Sequence, residues 1–186
     1  TASVARHDGQ LDQALAREMR LKSELRGDRT INIEGPLLER LDEDKSVFNT
    51  LEAEQRHLAA RRETLDGTIT ILHQRIDQLN NEIKGLKIQK EARIEQLDIF
   101  KDELVGLRGL YEKGYFPKTK LLAMERAIAN LRGAAGNDLA QIARAESARG
   151  EAENQIVNVK QRFREDVVEQ LRDVQIEISD LNERLL

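Results

Sequence analysis

The stretch LYEKGYFPKTKLL, Leu110–Leu122, decides how this chain folds. It holds one of the two prolines and three of the six aromatics, Tyr111, Tyr115 and Phe116. On both sides of it the pattern is helical for many turns. Gly114 stands where a helix C-terminus favours a left-handed residue, a conformation glycine adopts without strain. Lys113, in the turn before, suits the negative end of the helix. Pro117 pushes Phe116 toward extended geometry and gives the next helix a pre-set φ. GYFP, 114–117, therefore reads as a tight reversal between two helices.

The segment leading into it, 37–113, carries the strongest periodicity. Leu51, Leu58, Leu65, Leu72, Leu79 and Leu86 recur every seven residues. Ile69, Ile76 and Ile83 fill the alternate seam positions, giving the a/d spacing that drives helices to pair. After Leu86 the rhythm shifts: Lys90 falls on the seam, followed by Ile94, Leu97, Phe100, Leu104, Leu107 and Tyr111. Eleven residues from Leu86 to Leu97 amount to a four-residue insertion, which locally unwinds a supercoil. The segment leaving the reversal, 118–186, mirrors this. It begins with Leu121, Met124 (or Leu122), Ile128 and Leu131, passes through a stretch rich in Ala and Gly, and ends with Ile156, Val159, Phe163, Val167, Leu171, Val174, Ile178, Leu181 and Leu185.

Two heptad segments around one short break predict an antiparallel hairpin, because a lone helix would leave its apolar stripe in water. Folding about the break sets Leu65 near Val167, Leu51 near Leu181, and Leu97 against the Ala134–Ala135 zone. Ahead of the hairpin, residues 1–36 form a separate region. A first helix spans about Ser3 to Arg26, with Leu11, Ala14, Leu15, Met19 (or Glu18), Leu21 and Leu25 roughly on one face. GDRTINIEGP, Gly27–Pro36, follows as an extended connector. The second helix already matches the third in length, so the first is expected to pack beside the base of the hairpin. The fold class is all-α.

Composition limits the functions open to such a chain. Of 186 residues, 34% are charged and 3% aromatic, with no Cys and no Trp. That excludes disulfides and thiolate metal sites and favours long helices over a compact globule. A net charge of −4 with both signs interspersed makes no case for nucleic-acid binding. No apolar run approaches the ~20 residues that span a membrane, and no signal peptide is visible. Because the chain begins and ends inside helical pattern, it reads as part of something larger. His7, His57 and His73 lack a second ligand at metal spacing, no glycine-rich loop follows a strand, and acid pairs such as Asp42 and Asp44 lie on a helical face without a cleft. No metal, no cofactor and no catalytic constellation is indicated, so the chain reads as a non-enzyme.

Chemistry concentrates instead at the reversal. Arg108, Lys113, Lys118, Lys120 and Arg126 face only Glu112 and Glu125 there, a local charge of +3 on a chain of −4. Tyr111 continues the seam, whereas Tyr115 and Phe116, being adjacent, cannot both point inward. Aromatics and cations gathered at one end mark a contact site.

LRGLYEKGYFPKTKLLAMERAIANLRG, from Leu107, resembles the hairpin tip of periplasmic membrane fusion (adaptor) proteins of type I secretion systems, in the haemolysin D-like branch that exports metalloproteases and lipases. LAREMRLKSELRGDRTINI and QIVNVKQRFREDVVEQLRDVQIEISDLNERL are similar to that branch's first helix with its connector and to its returning helix. The resemblance implies an adaptor anchored in the inner membrane and working in the periplasm. It would bridge an ABC exporter to a TolC-type outer-membrane channel, self-associate as a hexamer, and meet the channel with its hairpin tip. Leu110 matches the family's tip leucine, but Gly106 occupies the position of its arginine and Pro117 that of its serine. Arg108 and Thr119 stand nearby as substitutes. The residues expected to dock are Arg108, Leu110, Tyr115, Phe116, Pro117, Lys118 and Thr119. A generic coiled-coil tether would show the same heptads, but it has no reason to display this tip.

Overall fold

In a computed structural model of the chain, residues 2–42 and 44–185 are described. Four helices follow one another: α1 (Ala2–Arg26), α2 (Pro36–Arg40), α3 (Lys45–Glu112) and α4 (Lys118–Leu185). No strand occurs among the described residues. The chain divides into two compact units, Thr1–Ile71 with Gln155–Leu186, and Leu72–Asn154. Helices α3 and α4 contribute to both units, and α1 and α2 belong to the first.

The helix expected over 37–113 starts later. A separate turn of helix, α2, comes first, and α3 begins at Lys45. Asp44 explains the restart. Its Oδ1 accepts the backbone N–H of Ser46 at 2.8 Å, capping α3 at its N-terminus. Its Oδ2 takes Arg40 Nη2 at 2.9 Å, and Arg40 also grips both carboxylate oxygens of Asp12 at 2.8 and 2.9 Å. These bonds tie α1, α2 and the start of α3 together. The Arg40 hydrogen bond also holds the Asp44 carboxyl below the ordinary carboxylate range.

In the first unit α1 is a wedge with two buried faces. One face carries Ala16, which joins Leu37, Val47 and Leu51 in a cluster with Leu15, Met19, Ile33 and Leu41 against it. The other carries Leu21, which joins Val167 and Val174, flanked by Leu25, Phe163, Leu171 and Ile178. Leu51 thus packs against α1 and α2, and Val167 against α1. A third helix takes up part of the apolar stripe that the two arms would otherwise share. The connector lies along α3. Gln55 clamps it with both ends of its amide, Oε1 accepting Ile31 N–H at 2.8 Å and Nε2 donating to Arg29 C=O at 3.0 Å.

Between the two apolar faces of α1 runs a line of alternating charge. Arg20 donates to Glu24 and to Glu54 of α3, both at 2.5 Å. Arg61 of α3 donates from Nε to Glu24 at 3.1 Å and from Nη2 to Asp166 of α4 at 2.8 Å. The Arg61 guanidinium also stands 5.1 Å from the centre of the Phe163 ring. Arg20 is only 2% exposed. Charges so far from water persist only where each has partners, and here the partners come from three helices.

In the second unit α3 and α4 pack directly. Leu79 and Ile83 meet Ile142 and Ala145. Leu97 and Leu104 meet Leu121 and Ile128, with Ala135 packed against them. The arms are in the expected register, with Arg93 level with Asp138 and Lys87 level with Glu146. Asp138, 1% exposed, lies between the two clusters where the heptad rhythm shifts. Its Oδ2 is 2.6 Å from Arg93 Nε, an ion pair without hydrogen-bond alignment, and Oδ1 takes a 3.3 Å hydrogen bond from Gln89.

Two outcomes follow for the charged line. Arg20→Ala leaves Glu54 without its partner and the buried Glu24 with Arg61 alone, and is expected to cost ~3–5 kcal/mol in urea unfolding of the chain; a loss below ~1 kcal/mol would show that water already reaches the site. Hydrogen bonds from Arg61, then Gln170, hold the Asp166 carboxyl below its ordinary range. A lowered folded-state pKa stabilises the fold above the unfolded-state value, and that stability is lost as pH falls through the folded one. Stability is therefore expected to decline on acidification below about pH 4, and Asp166→Asn to flatten part of the decline. Identical acid profiles for the two proteins would contradict this.

Candidate docking site at the hairpin reversal

The reversal is built by backbone hydrogen bonds that end α3 in one step. Gly114 N–H donates to Tyr111 C=O and Tyr115 N–H to Leu110 C=O, both at 2.9 Å. Gly114 has φ 81, the left-handed geometry that permits this paired closure. Helix α1 stops in the same way at Gly27, also with φ 81, where Gly27 N–H meets Glu24 C=O and Asp28 N–H meets Ser23 C=O. On the far side of the turn, Pro117 C=O accepts the N–H groups of Lys120 at 3.1 Å and Leu121 at 3.3 Å, starting α4.

The two adjacent aromatics take opposite roles. Phe116 folds inward against the cluster of Leu104 and Leu121, while Tyr115 is 79% exposed. Leu110 (44%), Tyr111 (37%) and Leu122 (39%) are exposed beside it, giving an apolar cap. Of the seven residues expected to dock, Arg108, Leu110, Tyr115, Pro117, Lys118 and Thr119 are exposed, and Phe116 is half-buried. Arg108 is also committed across the hairpin, its Nη2 donating to Glu125 Oε1 of α4 at 2.9 Å. Among the described residues Lys113, Lys118 and Lys120 form no ion pair. The positive charge that faces outward therefore lies on these lysines and on Arg126, which is exposed and likewise forms no ion pair among the described residues. No group of three or more metal-ligating side chains is found among the described residues, and no helix of theirs is long and apolar enough to cross a membrane.

The profile of the AprE long α-helical hairpin matches residues 1–186. The chain belongs to this family. The type I secretion system membrane fusion protein PrsE of Rhizobium meliloti is 32% identical over 183 residues, covering 98% of this chain and 42% of that protein. The alkaline protease secretion protein AprE of Pseudomonas aeruginosa is 26% identical over 148 residues, covering 72% of this chain and 34% of that protein. The chain thus spans less than half the length of both curated relatives. In fold it is similar to the soluble domain of LipC, a membrane fusion protein of a type I secretion system, with a TM-score of 0.92 at 22% identity, covering 99% of this chain and 86% of that one. Within the AprE hairpin family, then, this chain closes its reversal with Gly114 and presents Tyr115 outward.

The unequal burial of the two aromatics separates stability from contact. Tyr115→Ala is expected to change unfolding free energy by less than about 0.5 kcal/mol, and Phe116→Ala to cost more than ~1 kcal/mol through lost burial. Gly114→Ala is expected to cost ~1–2 kcal/mol from backbone strain alone, since a Cβ there meets no atom within 4 Å. Equal costs for Tyr115→Ala and Phe116→Ala in denaturant unfolding would contradict the geometry.

Proposed function

We propose that this chain is the hairpin of a periplasmic adaptor in a type I secretion system, and that its tip docks on a TolC-type outer-membrane channel. The full-length adaptor is held in the inner membrane, engages an ABC exporter, and associates with further copies of itself as a hexamer. The hairpin is non-catalytic: it positions and couples the two membrane machines. Residues 1–36 act as a brace packed on the hairpin formed by 37–186. One observation carries the reading. An exposed tyrosine, an exposed leucine and lysines with no ion pair among the described residues crown a reversal closed from behind by paired backbone hydrogen bonds. Membership in the AprE family and the secretion names of the relatives support it. Exposed aromatics supply contact area with few rotors to freeze, and a rim of lysines suits an acidic partner.

Export by the full-length adaptor tests this. Tyr115→Ala, Leu110→Ala and Lys118→Glu are each expected to lower export by about tenfold or more, the loss of one interface anchor, while adaptor abundance stays constant. Ile71→Ala, at a site 66% exposed in the first unit, is expected to export normally. Normal export from all three tip variants would leave the reversal a mere turn and favour a passive tether.

A further inference from the structure

The second unit has two outer faces that its own fold leaves unpartnered. On α3, Ile88 and Ile99 are 59% and 65% exposed. Ile88 is nine residues before the buried Leu97, about two and a half turns, which places the pair on the side away from α4. Glu91, Glu95, Asp102 and Glu103 border these isoleucines, all exposed and none with an ion-pair partner among the described residues. On α4, Gly133 is nine residues before the buried Ile142, so it too lies on the side away from the seam. With it on that side lie Ala129, Gly136 and Ala140, all exposed. Arg126, Arg132 and Arg144 border this strip, again with no ion-pair partner among the described residues. A Cβ built on Gly133 or Gly136 meets nothing within 4 Å. One face is thus a ridge with four carboxylates, and the other a shallow strip with three guanidiniums.

We propose that these faces are the two halves of one contact between neighbouring copies of this chain, the ridge of α3 on one copy seating on the small-residue strip of α4 on the next. The proposal rests on the adaptor reading, of which self-association is part, and specifies which surfaces meet. Charge complementarity selects the occupant. Two α3 ridges would oppose carboxylate to carboxylate, and two α4 strips guanidinium to guanidinium, so only the unlike pairing is attractive. Height selects the geometry. The Arg93–Asp138 pair sets the register of the arms, and continuing it places Ile88 level with Ala143 and Ile99 within one residue of Gly133. Copies standing side by side in the same orientation therefore put each isoleucine against a residue with little or no side chain. Arg132 then reaches the carboxylates one turn away on either side, Glu95 and Glu103. Such a contact joins unlike faces, so a pair keeps one of each free and further copies add in the same way, as a closed adaptor ring requires.

The chain has no cysteine, which makes disulfide capture clean. Chains carrying Ile99→Cys are mixed with chains carrying Gly133→Cys under mild oxidation. A mixed dimer is expected in several-fold excess over the dimers either variant forms alone, with the yield falling as salt is raised. Arg132→Glu on the Gly133→Cys chain is expected to lower the yield several-fold, and Glu95→Arg on its partner to restore it. A mixed yield no higher than either variant gives alone overturns the proposal, as does an Ile99→Cys self-dimer that dominates the mixture. The same pair in the full-length adaptor separates the two readings. Export that depends on Tyr115 without a crosslink removes this interface and leaves tip docking standing. A crosslink without dependence on Tyr115 does the reverse.

Discussion

Everything in the second unit depends on where the chain turns. The left-handed φ of Gly114 closes α3 with two paired hydrogen bonds, and Pro117 opens α4 three residues later. A reversal this short leaves no slack in the relative height of the arms. The height is then read out down the hairpin: Arg108 meets Glu125, Arg93 meets Asp138 and Lys87 meets Glu146. A slip in one arm would turn seam residues such as Leu97 and Ile128 outward, and no apolar partner waits for them there. The same constraint brings Leu110, Tyr115 and the lysines into one small surface.

Polar groups inside the packing specify this arrangement more than they strengthen it. A buried ion pair gains little over a well-packed apolar pair, because removing both charges from water costs as much as their attraction returns. It does penalise every arrangement in which one partner is missing. Asp138 acts this way in the second unit, since another register would bury it away from Arg93 and Gln89. In the first unit the line Glu54–Arg20–Glu24–Arg61–Asp166 fixes α1 against both arms at once. Leucine and alanine contacts alone would let α1 slide along its groove.

The sequence states the hairpin and the first helix beside its base openly, and conceals the polar packing that joins them. Heptad leucines, the glycine and proline of the reversal and the glycines of the connector are local signals, and each corresponds to an observed element. The restart of α3 at Lys45 was hidden because Leu37, Leu41 and Phe48 keep a helical spacing across the break; the deciding feature is Asp44 capping its own helix while holding Arg40. Burial of Arg20, Ser23 and Glu24 was hidden for a different reason. Charged and hydroxyl side chains read as surface, and their partners come from distant parts of the chain: Glu54 of α3 for Arg20, Arg61 of α3 for Glu24, and Asn32 of the connector for Ser23. Heptad position alone also overstates burial: Leu79 is 2% exposed, yet Leu72, one heptad earlier, is only half-buried. At the reversal, adjacency showed that Tyr115 and Phe116 must part, but not which one turns inward.

The adaptor reading makes the tip the place where the outer-membrane channel is met. A benzophenone side chain in place of Tyr115 in the full-length adaptor, irradiated in cells, reports that contact directly. The account predicts covalent capture of the outer-membrane channel from position 115 and none from position 71, where the side chain is 66% exposed but remote in sequence from the reversal. Capture of the channel from position 71 with none from 115 would contradict it.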